Sequence, residues 1–242
     1  MKYVLLDANV VAAFYLPHVH RFQNARDRIK IIFDAARSNG EEIFLYLPNF
    51  CVAEVFGVFM KHSFSSWNRY VTRTIDTRIY DSLVKQFQSD IHNGSLIYHY
   101  ELNRYHVLGI NLVAPVDHYF QHRRRIPGRG TNLVPMGTLD QLIISMGVQL
   151  VRLHGEKNVA IVSADDRLTE IASKCKSNIP PATIKKLKLD RCEAIVGVPF
   201  APQSFPVPLN LKSCTIRQLS DFFGRWPLNV GELPNYYRHV RP

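Results

Sequence analysis

Residues 137–168, GTLDQLIISMGVQLVRLHGEKNVAIVSADDRL, predict the helix–strand unit that decides the fold. Apolar residues recur at helical spacing along its first half, at Leu139, Leu142, Ile143, Met146, Leu150 and Leu153. Gly155 is predicted to end this helix. Residues 159–162, VAIV, are short, apolar and mostly β-branched, which is typical of a strand buried on both faces of a sheet. The sequence therefore predicts a core-facing helix followed by a central strand.

Three acidic residues lie at the ends of this unit. Asp140 is near the start of the helix, and Asp165 and Asp166 follow the strand. Thr138 and Gln141 fit a capping box, which would place Asp140 at the second helical position, where its charge meets the helix dipole favourably. Taken alone, Asp140 is therefore explained by helix capping. Taken with the acids after the strand, it predicts a concentration of negative charge where the sheet opens.

The N-terminal residues predict the alternation of strand and helix that is typical of a parallel sheet with crossover helices. Predicted strands lie at residues 3–6 and 43–47, and predicted helices at 10–16, 23–37 and 50–62, the last with Asn49 as its N-cap. The middle of the chain is more irregular. It predicts a helix at 67–89, an extended segment at 96–100 and a helix at 101–121 that is interrupted at Pro115.

The C-terminal part differs in composition from the rest of the chain. Residues 194–198 predict a last strand, and residues 199–208 contain four prolines, which predicts a linker or an extended arm. We therefore expect one α/β domain over residues 1–198, with an insertion at about 63–135. Residues 199–242 are expected to form a proline-rich linker and a basic, aromatic extension.

Composition narrows the class of protein. The 242 residues are 46% hydrophobic, so a disordered chain is excluded, and 30 Lys and Arg against 20 Asp and Glu give a net charge of +10. This charge favours an anionic partner, with nucleic acid ahead of a membrane surface, over a basic protein without such a partner. The sequence contains no run of about 18 apolar residues, so no membrane span is predicted. The four scattered cysteines predict neither a zinc knuckle nor a disulfide framework, which suits the cytoplasm.

Two predicted strands end in acid. Asp7 follows the first strand and Asp165 follows the strand at 159–162, and the carboxyl ends of parallel strands meet at one edge of a sheet, where ligands bind. Glu54 lies within an apolar helix, where an unpaired carboxylate is costly. An ion pair with a distant Arg or Lys is one explanation for Glu54. A shared site with Asp7 is the other.

Carboxylates gathered within reach of one another need a positive group between them. Because these ligands are hard oxygen atoms, the site is predicted to select Mg²⁺ or Mn²⁺ rather than zinc. In a basic protein such ions suit phosphate chemistry, since they bind phosphate oxygens, activate a water and stabilise the leaving oxygen.

Four segments together resemble the PIN-domain nucleases, a family that includes the toxin ribonucleases of toxin–antitoxin pairs. The matching segments, in order, are VLLDANVV, LPNFCVAEVFGVF, TLDQLIISMGVQL and VAIVSADDRL. The resemblance covers residues 1–62 and about 136–198, and it implies a three-layer α/β/α fold with a central, mainly parallel sheet. Here that fold would be enlarged by the helical middle region and the C-terminal arm.

The resemblance also implies the roles of individual residues. The acids that bind Mg²⁺ or Mn²⁺ would be Asp7, Glu54, Asp140 and Asp165, with Asp166 as the alternative to Asp165. Asn9 and Ser163 match polar positions that support the acids. The implied reaction is endonucleolytic cleavage of RNA by a metal-activated water, which leaves a 5′-phosphate and a 3′-hydroxyl, and the implied partner is an inhibitory antitoxin.

Other functions remain as alternatives. A PIN-like module could bind RNA or protein without cutting, and a phosphatase of the haloacid-dehalogenase type would require an Asp where Asn9 stands. The basic loop that contains Arg123, Arg124, Arg125 and Arg129 is either solvated or tracks an RNA backbone. The tail mixes aromatic residues with arginines, which predicts either single-strand stacking or an arm that contacts a second copy or another protein.

Overall fold

The centre of the protein is a sheet of five parallel strands. The computed structural model describes residues 1–16, 23–38, 42–64, 75–92, 96–124 and 135–224. The strands are β1 (Lys2–Leu6), β2 (Ile43–Pro48), β3 (Ile97–Tyr100), β4 (Val159–Ser163) and β5 (Val207–Asn210). Their order across the sheet is β3-β2-β1-β4-β5. Because the chain moves outward from β1 first to one side and then to the other, the order reverses between β1 and β4.

Helices connect the strands and cover both faces of the sheet. They are α1 (Ala8–Tyr15), α2 (Gln23–Ser38), α3 (Asn49–Ser63), α4 (Thr77–His92), α5 (Arg104–Leu108), α6 (Ile110–Arg124), α7 (Thr138–His154), α8 (Asp166–Lys176), α9 (Pro181–Lys186), α10 (Glu193–Val196) and α11 (Ile216–Phe223). Helices α1 to α4 pack in one layer, and α5 to α8 pack in the other. The predicted three-layer α/β/α architecture with a central parallel sheet is therefore confirmed.

The central strand β4 is buried at every residue, as its short apolar sequence predicts. Helix α7 packs on β4 and β1, and its residues from Leu142 to Val151 are all buried. Gly147 is part of this contact, since a Cβ there would lie 2.7 Å from Pro206 and 3.0 Å from Ile161. This close packing aligns the start of α7 with the carboxyl ends of the strands.

The C-terminal prediction is wrong in two places. Residues 194–198 do not form a strand, because Glu193–Val196 is a short helix that ends at Gly197 with φ +71°. The predicted linker at 199–208 instead leads into β5, which pairs in parallel with β4, so the sheet extends beyond residue 198. Pro208 is compatible with this strand because β5 is at an edge of the sheet. The strand prediction at 194–198 is wrong because a short apolar run cannot be assigned to helix or strand by its periodicity alone.

The middle region differs from its prediction in detail. The described helix there begins at Thr77, and residues 67–74 of the predicted helix lie outside the described residues. Pro115 lies inside α6, and the interruption occurs instead at Gly109, between α5 and α6. β3 forms the predicted extended segment as an edge strand. None of the helices described in these residue ranges has the length and low polarity needed to cross a membrane.

Candidate metal centre

Asp7 lies between β1 and α1, at the carboxyl edge of the sheet. Its backbone N–H donates to the carbonyl of Val162 on β4 over 3.0 Å, so the residue is fixed at the boundary between the two strands. Only 5% of Asp7 is exposed. Its Oδ2 accepts a 2.5 Å hydrogen bond from the Ser163 hydroxyl and a 2.6 Å hydrogen bond from the Asn9 amide. The carboxylate is therefore held in one orientation at the reversal of strand order.

Ser163 and Asn9 also fix the residues that follow β4. The N–H of Asp165 donates to Ser163 Oγ over 2.8 Å, and the N–H of Ala164 donates to Asn9 Oδ1 over 3.0 Å. Both side chains therefore join the end of β1 to the end of β4. The structure therefore places both residues beside Asp7, and their role in supporting a metal site stays a prediction.

The electrostatic environment of Asp7 disfavours its negative charge. Burial is the main cause that raises its pKa to about 7, and the nearby charges of Asp140 and Glu54 raise it further. Hydrogen bonds from Ser163 and Asn9 act in the opposite direction. A buried carboxylate with this pKa takes up either a proton or a cation near neutral pH.

Glu54 lies on α3 and is half-buried. Burial raises its pKa, and a hydrogen bond from the Cys51 thiol and the charge of Lys61 lower it. Ligand atoms of Asp7, Cys51 and Glu54 all lie within 4.8 Å of one another. Glu54 is thus brought to Asp7, as predicted. The alternative explanation was an ion pair with a distant Arg or Lys, whereas the cation that acts on Glu54 is Lys61, seven residues along the same helix, and its effect on the pKa is the smallest of the three.

Cys51 is the member of this group that the sequence analysis missed. It lies three residues before Glu54, so both side chains are on one face of α3. Burial raises the pKa of the Cys51 thiol, and the charges of Asp7 and Glu54 raise it further, so the thiol is protonated at neutral pH. The patterns typical of zinc knuckles and disulfide frameworks do not include Cys51. Its i, i+3 spacing to Glu54 is the sequence feature that places the two side chains together.

Asp140 is the third residue of α7, one position later than predicted, because Gly137 and not Thr138 is the N-cap. The predicted capping box is wrong: Gln141 Nε2 donates to the carbonyl of Met136 over 3.2 Å. The Asp140 carboxylate lies close to Gly137, since a Cβ added there would lie 3.1 Å from Asp140 Oδ2. Burial, followed by the charges of Asp165 and Glu54, raises the pKa of Asp140 to about 6. Asp140 therefore belongs to the same electrostatic cluster as the other acids.

Asp165 and Asp166 have different surroundings. Asp165 is the N-cap of α8, where one carboxylate oxygen accepts the N–H of Leu168 over 2.8 Å, and its charge acts on Asp140. Asp166 contacts β5 and the residue beyond it, since Lys212 Nζ lies 2.6 Å from Oδ2 and Asn210 Nδ2 lies 2.8 Å from Oδ1. These hydrogen bonds lower the pKa of Asp166. Asp165 is therefore the one of the two whose charge reaches the cluster.

The predicted basic loop is mostly outside the described residues. Arg123 and Arg124 are the last residues of α6, but their side chains are not described, and Arg125 and Arg129 lie in the gap at 125–134. The aromatic and basic tail from residue 225 is also outside the described residues. The roles predicted for these residues stay predictions.

The donor set suits a hard divalent cation. Among the described residues, the group whose ligand atoms all lie within 4.8 Å of one another contains Asp7 and Glu54 but neither Asp140 nor Asp165. The charge of Asp140 acts on Asp7, and that of Asp165 acts on Asp140; both add to burial, which is the main cause of the raised pKa values of Asp7 and Asp140. Oxygen ligands of this kind are preferred by Mg²⁺ and Mn²⁺. Burial and the charges of Asp7 and Glu54 raise the pKa of the Cys51 thiol in the metal-free protein, so a cation would have to displace its proton before the sulfur could bind.

No family model matches the chain, and no curated protein matches it. Among solved structures, the chain is similar to a chain in the crystal structure of VapBC2 from Rickettsia felis. In that structure VapBC2 is bound to a DNA fragment from its promoter. The match has a TM-score of 0.41 and 10% sequence identity, and it covers 70% of this chain and 93% of that chain. A likeness this low carries no functional conclusion, so a function must be argued from the chemistry of the site.

Proposed function

We propose that this protein is a Mg²⁺- or Mn²⁺-dependent endoribonuclease of the PIN type. The observation that carries the proposal is Asp7. Its carboxylate is 5% exposed, lies where the strand order reverses, and has a pKa of about 7 because burial and the charges of Asp140 and Glu54 oppose its ionisation. Binding a divalent cation would relieve this repulsion, and parallel α/β sheets bind their ligands at this position.

The residues have distinct roles in this proposal. Asp7, Glu54, Asp140 and Asp165 hold the ion, and Asn9 and Ser163 orient Asp7 through the hydrogen bonds described above. When bound, Mg²⁺ or Mn²⁺ supplies charge stabilisation at the phosphate and a hydroxide nucleophile at neutral pH. A bound cation would favour the ionised form of Asp7 over its protonated form. The protein contributes no covalent nucleophile, and the resemblance to PIN nucleases implies products with a 5′-phosphate and a 3′-hydroxyl.

The substrate follows from charge and from the motif resemblance. The net charge of +10 favours a polyanion, and the four segments that resemble PIN nucleases favour RNA. Arg123, Arg124, Arg125 and Arg129 are proposed to contact the RNA backbone. By the same resemblance, the protein is proposed to act as the toxin of a toxin–antitoxin pair in the cytoplasm, inhibited by an antitoxin protein. An adjacent gene for a small DNA-binding protein would support this role.

The proposal is tested by incubating the protein with fluorescently labelled single-stranded RNA and Mn²⁺. Asp7→Asn and Asp140→Asn should each reduce the rate of cleavage by more than about 100-fold, because each removes a direct ligand of the metal. Loss of a residue that only contacts a ligand typically costs about 10- to 100-fold. Asp221→Asn is the control, since this exposed acid lies on α11. Cleavage in excess EDTA, or undiminished cleavage by both site variants, would contradict the mechanism. RNA binding without turnover at saturating Mn²⁺ would favour the non-catalytic module.

A further inference from the structure

A second buried carboxylate lies behind the candidate metal centre. Asp117, on α6, is only 2% exposed. Its two oxygens accept hydrogen bonds from two different segments of the chain. Oδ1 accepts from Nη2 of Arg167, with which it forms an ion pair, and Oδ2 accepts from the backbone N–H of Met136 over 3.1 Å. The backbone carbonyl of Asp117 also accepts from Arg167 Nη2, over 3.3 Å.

Each of these segments carries one acid of the metal centre. Met136 directly precedes Gly137, the N-cap of α7, and so lies four residues before Asp140. Arg167 is the second residue of α8 and lies two residues after Asp165. One side chain on α6 therefore connects the start of α7 to the start of α8.

The two connected segments repel one another through their acids. The charge of Asp165 is the second-largest cause that raises the pKa of Asp140, after burial. In the absence of a cation this repulsion favours separation of the two helix starts. The hydrogen bonds of Asp117 oppose that separation, because they hold both segments against α6.

We propose that Asp117 is a positioning residue that keeps Asp140 and Asp165 at the spacing required to bind one divalent cation. This inference rests on the proposed function. Asp117 itself does not belong to the four acids, and it acts through Met136 and Arg167. In the sequence, Asp117 directly follows the apolar residues 112–116. Like Glu54, it is an acid in an apolar segment of the chain.

A purely structural role makes a different prediction, and a matched pair of double variants separates the two. Asp117→Leu with Arg167→Met removes their ion pair, the 3.5 Å ion pair of Arg167 with Glu170, and the hydrogen bonds with the Met136 N–H and the Asp117 carbonyl. Glu156→Leu with Lys176→Met is the comparison, since it removes an ion pair and a hydrogen bond to the backbone at the last residue of α8, where Lys176 Nζ lies 2.5 Å from Glu156 and 3.0 Å from the carbonyl of Phe205. Replacing both partners of a buried ion pair avoids leaving one charge uncompensated.

The experiment measures the Mn²⁺ dissociation constant by electron paramagnetic resonance of free Mn²⁺, and the melting temperature, for the full chain and its variants. We expect the Asp117/Arg167 variant to bind Mn²⁺ about 10- to 100-fold more weakly, as is typical when an outer-shell partner of a metal site is lost. The Glu156/Lys176 variant should bind Mn²⁺ as the unmodified protein does, even where its melting temperature falls. If the first variant does not fold, Asp117→Asn is used, and weaker Mn²⁺ binding is again expected.

Three outcomes would overturn the inference. Unchanged Mn²⁺ affinity in the Asp117 variant, with binding lost in Asp7→Asn, would reject the role of Asp117 and leave the proposed function intact. Equal weakening in both double variants would assign the effect to general destabilisation. Absence of Mn²⁺ binding by the unmodified protein would reject the proposed function and this inference together.

Discussion

The hydroxyl of Ser163 donates to Oδ2 of Asp7 over 2.5 Å and links residues that are 156 positions apart in the chain. Ser163 Oγ also accepts the backbone N–H of Asp165 over 2.8 Å. Ser163 therefore joins the acid after β1 to the acid after β4. It also lowers the pKa of Asp7, against the larger effect of burial. Together with Asn9, this hydroxyl group orients Asp7 at the candidate metal centre.

Replacing Ser163 with alanine should weaken Mn²⁺ binding about 10- to 100-fold, because the carboxylate of Asp7 loses a hydrogen bond that orients it and favours its charge. The pH at which Mn²⁺ binding is half-maximal should rise, since the pKa of Asp7 would rise further. Titration with Mn²⁺ at several pH values measures both effects. Ser145→Ala is the control, since this buried serine on α7 donates to the carbonyl of His106. Equal losses of affinity in the two variants would contradict the role of Ser163.

The metal-free protein should become less stable as the pH rises from about 4 to about 7. The pKa of Asp7 is about 7 in the folded protein and 3.8 in an unfolded chain, so between these values the folded state binds more protons. Raising the pH therefore lowers the free energy of unfolding. Asp140, whose pKa is about 6, acts in the same direction. Thermal unfolding in EDTA across this pH range measures the effect, and Asp7→Asn should flatten the dependence.

Adding Mn²⁺ should reverse this trend, because the cation competes with the proton for the same carboxylates. The increase in melting temperature caused by Mn²⁺ should be small near pH 5 and larger near pH 8. These values lie below and above the pKa of about 7 that Asp7 has in the folded protein. An increase that does not depend on pH would show that Mn²⁺ binds elsewhere.

Asp165 and Asp166 should respond differently to the same substitution. Asp165→Asn should abolish most Mn²⁺-dependent cleavage while α8 remains capped, since asparagine is as good an N-cap as aspartate. Asp166→Asn removes an ion pair to Lys212 in which the acid side chain is 74% exposed, so it should cost at most about 1 kcal/mol of stability and leave cleavage intact. Cleavage assays and thermal unfolding of both variants measure this. The reverse pattern would assign the fourth acid to Asp166.

Cys51→Ser should leave the affinity for Mn²⁺ unchanged, even though the thiol lies within 4.8 Å of the acids. Burial and the nearby negative charges raise the pKa of the thiol, so binding through sulfur would first require loss of its proton, whereas the carboxylate oxygens bind Mn²⁺ directly. Titration of both proteins with Mn²⁺ tests this. A tenfold or larger loss of affinity in the variant, with an unchanged melting temperature, would make Cys51 a ligand.

Elements with one dominant local pattern were predictable from the sequence. α7 has the apolar spacing of a core-facing helix over its whole length, and β4 has the short apolar pattern of a doubly buried strand. β5 was missed because its residues, VPLN, have no strand pattern of their own. Pairing with β4 gives them that conformation, and such long-range contacts are not visible in a local segment.

The acids of the site were predictable because each occupies a position that its local sequence leaves unexplained. Asp7 and Asp165 end apolar strands, and Glu54 interrupts an apolar helix. The contacts that hold them were less accessible. The link between Met136 and Arg167 through Asp117 joins residues that are 19 and 50 positions from Asp117, and no sequence pattern specifies that pairing.

The most direct test of the proposed mechanism is the fate of a solvent oxygen during RNA cleavage. The protein is incubated with single-stranded RNA and Mn²⁺ in water enriched in ¹⁸O, and the termini of the products are analysed by mass spectrometry. If a solvent-derived nucleophile attacks the phosphorus at a site held by Asp7, Glu54, Asp140 and Asp165, one ¹⁸O atom appears in each new 5′-phosphate, and Asp140→Asn abolishes the product. Products that end in a 2′,3′-cyclic phosphate, or the absence of any Mn²⁺-dependent cleavage, would contradict it.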